Sequence, residues 1–406
     1  MITQVITFFG IVQGVGFRPT LSRLAGRYRY FGQVRNMGGL VQLIVTDTEE
    51  RIDEFIAIIR RERPRMSEII RIDRETIDTV RFDRFEIVGS GDAAQEIAIV
   101  PADIAICDDC LAEFRDPENI RYQHPFISCT NCGPRYSIME HLPYDRDTTT
   151  MEDFPMCDFC GGEYKNPGSR RYHAQTVSCH DCGPMPVWKA TGKAKGETKG
   201  ETPLVSPLGS AISAINSGGV IALKGVGGYY FVCSPFNEAA VRRLRGIKIR
   251  EEKPFAVMFS STCQIKDYCM VSPPEEELLT SPKRPIVLLE KAPQPYEYVK
   301  NATFSRKRGV KGQLSRESLK IHKKPPLFYV KNASFSRNGV IAANVCNHSR
   351  FIGAFLPSMG LQYILTDACG PLIMTSANLS DLPIIKDDDE MFQLLEREPR
   401  LDGVLY

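Results

Sequence analysis

The sequence predicts an α+β protein of several domains. Three observations carry this: apolar strand-like and helical stretches alternate over the first ninety residues, the middle uses one cysteine spacing twice, and the last two hundred residues return to alternating strands and helices. At 406 residues there is room for two to four domains. With 43% hydrophobic and 25% charged residues, the composition is that of globular proteins able to bury sizeable cores. No apolar run approaches the ~18 residues that cross a bilayer, and the N-terminus lacks the basic start of a signal peptide, so a cytoplasmic protein with no membrane partner is expected.

Residues 1–90 form the first expected domain. Thr3–Phe9 and Val41–Val45 are apolar and β-prone, and the segment after Phe17 reads as helix. Gly32–Asn36 lies on a following strand, Glu49–Arg61 has helical apolar spacing, and Phe82–Val88 closes the domain as a strand. That order suits a βαββαβ sandwich of the ferredoxin-like kind. Between the first strand and helix lies Val12-Gln13-Gly14-Val15-Gly16-Phe17-Arg18-Pro19. Gly14 and Gly16 let consecutive N–H groups turn toward an anion, the helix beginning near Arg18 adds its positive dipole end, and Arg18 can fork onto two phosphate oxygens. The glycine pair alone would mark only a tight turn.

Residues 105–185 hold Cys107-x2-Cys110-x18-Cys129-x2-Cys132 and then Cys157-x2-Cys160-x18-Cys179-x2-Cys182, fifty residues on. A C-x2-C pair sets two thiolates on one turn and a second pair closes a four-sulfur cage, so two zinc fingers are expected. Arg121-Tyr122 and Arg171-Tyr172 match in offset, and both copies end in Cys-Gly-Pro. A disulfide framework would need an oxidising compartment, to which nothing in the chain points. Four sulfurs leave no open coordination position, so both metals are read as structural, each worth on the order of 10 kcal/mol of folding energy. His124 and His173 sit at different offsets from the cages and are read as packing or hydrogen-bonding residues rather than ligands.

A polar linker is expected at 191–202, followed by an α/β domain over 203–406. Leu208–Asn216 has helical spacing, and Gly218–Gly225 reads as a strand entering a glycine turn that carries Lys224. Arg245–Pro254 is a basic run ahead of an apolar strand, Phe255–Phe259. Such a run is usually a solvated loop; paired with Lys224 it makes a candidate triphosphate site. An insert at about 291–339 interrupts this domain. Lys291–Arg337 carries twelve Lys or Arg against two Glu, and YVKNATFSR at Tyr298–Arg306 returns as YVKNASFSR at Tyr329–Arg337. The net charge is +2, so the remainder is acidic at about −8, which argues against a wholly basic nucleic-acid binder. The insert is read as a surface segment, with a grip on RNA or an acidic partner as the alternative. Cys233, Cys263, Cys269, Cys346 and Cys369 have no metal spacing and are read as buried small hydrophobes.

The octapeptide, with Asn36 downstream, resembles the acylphosphatase signature. The resemblance implies that Arg18 binds the phosphoryl group on the loop Gln13–Phe17 and that Asn36 orients the attacking water. The third domain resembles the YrdC family. That resemblance implies that Lys224, Lys248, Arg250, Lys253, Ser281, Arg284, Thr375, Ser376 and Asn378 surround ATP and its Mg2+. The whole order resembles the HypF family of carbamoyltransferases, which help build the cyanide ligands of nickel–iron hydrogenases. Cys129–Tyr136, Leu142–Arg146 and Arg171–Gln175 support it. The chain departs from the family in a less arginine-rich Arg245–Lys248, in Leu356–Gln362 where the family carries LPYTPLH, and in an expected lack of the large C-terminal transferase domain. The resemblance implies carbamoyl phosphate and ATP as substrates, a HypE-like acceptor protein, and a separate chain for the missing transferase.

The expected mechanism is a relay. Arg18 and Asn36 promote hydrolysis of carbamoyl phosphate, and the carbamate passes by an enclosed route to the second site, where it attacks the α-phosphate of ATP. One rival is a threonylcarbamoyl-adenylate synthase acting in tRNA modification, in which the first domain would have no role. The other is a zinc-stabilised scaffold or nucleic-acid-binding protein.

Overall fold

The computed structural model describes residues 1–91, 99–191, 206–292, 339–347, 349–378 and 382–406. Residues 192–205 and 293–338, which hold nearly all of the expected linker and insert, lie outside the described residues.

In the first domain β1 (Ile2–Ile11), α1 (Phe17–Tyr28), β2 (Gly32–Met37), β3 (Leu40–Asp47), α2 (Glu49–Glu62), β4 (Glu68–Ile77) and β5 (Phe85–Ile87) form a five-stranded sheet ordered β4-β1-β3-β2-β5. Alternation puts Ile6 and Phe8 of β1 and Leu43 and Val45 of β3 on the face that α1 and α2 cover with Leu21, Phe55 and Ile59. Thr48 caps α2 by accepting from the Arg51 N–H, and Glu49 and Glu50 suit its positive end. The expected closing strand is corrected: the fourth strand of the sandwich is β4, paired along β1, while Phe85–Ile87 adds a short parallel edge to β2. β4 escapes apolar patterning because it is itself an edge, largely exposed and filled with charge at Arg71, Asp73, Arg74 and Glu75.

Each finger opens on an eight-residue helix that starts one residue after its first cysteine, α3 (Asp108–Arg115) and α4 (Asp158–Lys165). The strand β6 (Trp188–Ala190) then leaves the second finger and joins the large sheet.

The third domain runs α5 (Pro207–Asn216), β7 (Ile221–Gly225), β8 (Gly228–Cys233), α6 (Glu238–Lys248), β9 (Ala256–Met258), α7 (Thr262–Lys266), α8 (Pro273–Thr280) and β10 (Val287–Glu290). It continues with α9 (Ala343–Cys346), β11 (Phe351–Phe355), α10 (Gly360–Cys369), β12 (Leu372–Ser376), α11 (Asp388–Arg397) and β13 (Gly403–Leu405). Its sheet is ordered β10-β11-β9-β12-β8-β7-β13-β6. The run Val220–Leu223 is buried on both faces: Val220 and Ala222 enter one core with α6 and α11, and Ile221 and Leu223 the other with α5 and α10. That second core also takes in Ile104, Ile106, Phe114 and Ile127 of the first finger, so finger and sheet share one apolar interior.

Candidate functional site

The loop after β1 is shaped by two glycines in the left-handed region, Gly14 at φ 66° and Gly16 at φ 76°. A Cβ on Gly14 would also meet Pro101 and Arg135 at about 3 Å. Among the described residues, no acceptor takes the N–H groups of Gly14, Val15, Gly16, Phe17 or Arg18, an arrangement at the N-terminus of α1 of the kind that suits an anion. Gln13 braces the loop through its amide to the carbonyls of Gly38 and Leu40. Val15 and Phe17 anchor it in the core. Arg18, 9% exposed, and Asn36, 1% exposed, converge on one backbone carbonyl, that of Tyr144, at 3.4 Å and 3.3 Å. The Asn36 side-chain oxygen is buried with no partner, an acceptor available to a water's O–H.

The surroundings of this site come from the fingers. Arg18 pairs with Asp145 at 2.5 Å, and the same carboxylate accepts from Ser90 and from the Gln175 amide at 3.3 Å. Arg135, directly after the first finger's Cys-Gly-Pro, donates to the carbonyls of Cys129, Thr130, Cys132, Pro134 and Gly14. Two cavities meet at Arg18, His173 and Gln175. One, of about 30 Å3, lies under the glycine loop; the other, of about 710 Å3, opens between Ile87–Gly91, Leu142–Thr148 and Tyr164. Burial, then the charge of Arg18, pushes His173 down to about 4, so its ring is neutral near pH 7. Sequence reading missed Ser90, Arg135, Asp145 and Gln175 as members of the site; the finger strings that hold the last three were noted only for their resemblance.

Both expected cages form, and the ligation is sequential: Cys107, Cys110, Cys129 and Cys132 in one, Cys157, Cys160, Cys179 and Cys182 in the other. Sulfur–sulfur distances of 3.7 Å and 3.8 Å recur in both. A tetrahedron with zinc–sulfur bonds of ~2.3 Å has edges of about 3.8 Å, so each cage fits a zinc ion. The fifty-residue repeat also builds the joint between the fingers. Arg121 pairs with Glu163 at 2.5 Å and donates to the Ser178 carbonyl; Arg171 pairs with Glu113 and donates to the Ser128 carbonyl. Each finger's arginine thus grips the other finger about a pseudo-two-fold axis, as in a symmetric dimer. His124 is fully buried, bonded to the Ser178 hydroxyl at 3.0 Å, and belongs to neither cage; burial, with His180 and the nearby arginines, pushes it down to about 3.

In the third domain Lys248, Ser376 and Asn378 come together. The Lys248 ammonium donates to the Ser376 carbonyl and, at 2.8 Å, to the Asn378 side chain, which also accepts from the Ser376 hydroxyl. Burial, then Arg250 and Lys253, lowers Lys248 to about 8. Pairing across three strands sets Leu223, Tyr230 and Ser376 on one rung, with Lys224 one residue on and Thr375 one residue back. Lys224 is held by Asp388, whose carboxyl burial would raise but which hydrogen bonds from Lys224 and Tyr229 hold low. Arg250 donates to the carbonyls of Lys253 and Pro254, fixing the loop on which Lys253 is exposed. Among the described residues, the side chains of Ser281 and Arg284 donate to the carbonyls of Leu278 and Leu279 on their own turn, at the first-finger interface where Ala105 donates to Pro282. They share no hydrogen bond with the Lys248 group among the described residues, and Arg284 Nε is buried with no partner.

Three family models match: acylphosphatase at 4–87, HypF finger at 106–139 and 156–186, and telomere recombination, of the Sua5, YciO and YrdC proteins, at 213–312 and 305–405. The chain is 38% identical over 95% of its length to a probable carbamoyltransferase HypF of Methanocaldococcus jannaschii, and 38% identical over 95% to carbamoyltransferase HypF2 of Cupriavidus necator. It spans about 44% of the length of each. A crystal structure of full-length HypF in the phosphate- and nucleotide-bound form superposes on all of the chain with TM-score 0.80 and 35% identity, and that of HypF from T. kodakarensis with TM-score 0.77 and 36%; the chain covers 46% of each. In its domains, their order and their fold, the chain belongs to the HypF family.

Proposed function

We propose that this chain carries out the first two steps of a HypF-type carbamoyl transfer. At the glycine loop, carbamoyl phosphate is hydrolysed. Its phosphoryl oxygens take the N–H groups of Gly14–Arg18 and the Arg18 guanidinium, and a water accepted by Asn36 attacks phosphorus. The bond from phosphorus to the carbamoyl oxygen breaks, carbamate and phosphate leave, and one proton passes to solvent. At the Lys248 group, carbamate attacks the α-phosphate of ATP and displaces pyrophosphate, giving carbamoyl-adenylate. Lys224, Lys248, Arg250 and Lys253 hold the polyphosphate, with Thr375, Ser376 and Asn378 beside it; Ser281 and Arg284 would join them only if their turn moves toward the site, and Mg2+ brought with ATP would offset phosphate charge. The carbamoyl group then passes from the adenylate to the thiol of a cysteine on a HypE-like acceptor in the cytoplasm, at a transferase site on a separate chain; the carbon–sulfur bond forms, the bond to the AMP oxygen breaks, and AMP and the thiol proton leave.

The observation that carries this reading is the glycine loop with its five undonated N–H groups, the buried Arg18 and the unpartnered Asn36 oxygen. The test is pyrophosphate release from ATP by zinc-loaded chain, with and without carbamoyl phosphate, beside an Arg18→Ala variant. Release that requires carbamoyl phosphate and is lost in the variant supports the relay. Release that requires threonine instead would move the chain to adenylate synthesis of the tRNA-modifying kind.

A further inference from the structure

The carboxylate of Asp145 has a place that the hydrolytic scheme does not explain. It is the charged partner of Arg18, the group expected to bind a phosphoryl dianion, and it reaches Arg18 from the fingers, 127 residues away in sequence. With that pair in place, the space under the glycine loop is about 30 Å3, room for about two waters, and it meets the larger cavity of about 710 Å3 at Arg18. A phosphoryl dianion that takes the Nη2 donor of Arg18 competes with Asp145 for it. Among the described residues the carboxylate then keeps only neutral donors, the Ser90 hydroxyl, the Gln175 amide and the Thr148 N–H of its capping box, against about four lone-pair positions and with no cation to offset its charge. An under-satisfied carboxylate next to a phosphoryl dianion opposes binding unless the incoming molecule supplies a donor of its own.

The other groups around Arg18 tend the same way. The Tyr144 carbonyl points at Arg18 and Asn36, the Gln175 oxygen accepts from Tyr164, and neutral His173 offers a ring nitrogen. Beyond the phosphate nest the site is rich in acceptors. We infer that Asp145 is a specificity-determining residue of the first site: it exchanges Arg18 for an N–H of the substrate's acyl group, and so selects acyl phosphates that carry an amide nitrogen over those that carry a methyl or aryl group. This rests on the acylphosphatase reading of the loop and adds to it the feature by which the site tells carbamoyl from acetyl.

The experiment measures phosphate release from carbamoyl phosphate and from acetyl phosphate by the zinc-loaded chain, after subtraction of spontaneous decomposition, for wild type, Asp145→Ala, Asp145→Asn and Arg18→Ala. Zinc content and thermal melting check that each variant is folded. The expected result is a carbamoyl-to-acetyl ratio of kcat/KM that falls on the order of tenfold to a hundredfold in Asp145→Ala and less in Asp145→Asn, which keeps an acceptor oxygen. If Asp145→Ala fails to fold, the ratio in Asp145→Asn decides. An equal fall on both substrates makes Asp145 a mere prop for Arg18 and overturns the inference, as does an unchanged ratio. Wild-type turnover that survives Arg18→Ala, or its absence on both substrates, would instead sink the acylphosphatase reading beneath it.

Discussion

Arg121 and Arg171 occupy equivalent positions in the repeat, yet the structure predicts unequal losses when each is cut to alanine. Both guanidiniums are 2% exposed, and both hold a glutamate of the other finger and a buried carbonyl. The difference lies one residue earlier. Arg170 pairs with Glu113 at 2.7 Å, whereas the matching position before Arg121 is Ile120, 41% exposed. After Arg171→Ala, Glu113 keeps Arg170; after Arg121→Ala, Glu163 keeps only a 3.4 Å contact to Arg171. Stranding one member of a buried pair costs about 3–5 kcal/mol, reduced here because both carboxylates are roughly a quarter exposed. The estimates are about 3 kcal/mol for Arg121→Ala and about 2 kcal/mol for Arg171→Ala. Finger folding and metal binding are one equilibrium, and each 1.4 kcal/mol is tenfold, so the free zinc at half-occupancy should rise about 100-fold and about 30-fold respectively. Competition against a chelator of known affinity, with zinc counted per chain, reads this directly. A loss in Arg171→Ala equal to or larger than that in Arg121→Ala refutes the argument.

Asn36→Ala should lower phosphate release from carbamoyl phosphate by about 100-fold with KM little changed, because its unpartnered oxygen acts on the water rather than on the phosphate; a KM-dominated loss would contradict this. Lys248 is lowered to about 8 in the folded chain, so ATP affinity should weaken as pH rises through about 8, and Lys248→Met should flatten that profile in a binding titration. The same group binds fewer protons folded than unfolded between about 8 and 10.5, so its contribution to stability rises with pH across that window, a slope that denaturant melts of wild type and Lys248→Met would reveal. His124→Ala should lower thermal stability by leaving Ser178 unpaired in the interior while zinc stays at two per chain; loss of one zinc would make the histidine part of a cage.

The parts legible in the sequence are those whose chemistry is local in the chain. One octapeptide makes the whole turn, so its two glycines sufficed to foresee the shape that leaves the N–H groups undonated. Likewise, C-x2-C spacing writes metal ligation into consecutive turns, and its doubling foretold both cages, though not that they are sequential. What escaped is made by contacts between distant segments. Asp145 and Gln175 reach Arg18 from the fingers, and Asp388 reaches Lys224 across 164 residues; each is an ordinary polar residue in its own neighbourhood. The edge strand β4 escaped for a different reason, since its exposed charges blur the alternation that marks strands with a buried face. Ser281 and Arg284, grouped with Lys248 by resemblance, sit on a turn bonded to itself beside the first finger.

The zinc cages hold no open coordination position, yet they lie at the centre of the chemistry proposed here. The backbone that closes the first cage runs on through Cys-Gly-Pro to Arg135, whose guanidinium binds carbonyls of the cage segment and of Gly14 together. On its other side the same finger buries Ile106 and Phe114 in the core of the large sheet, and its Pro125 carbonyl accepts from the first turn of α10. The second finger has a core of only Cys160, Ala174, Val177 and Cys179, too small to hold a fold, so its metal and the Arg121–Arg171 joint must fix the position of Gln175. A metal with no open coordination position thus sets the geometry of the first site through Arg135 and Asp145 and ties it to the third domain through a shared interior. The fingers are the part of the fold that joins the two modules proposed to be catalytic into one apparatus.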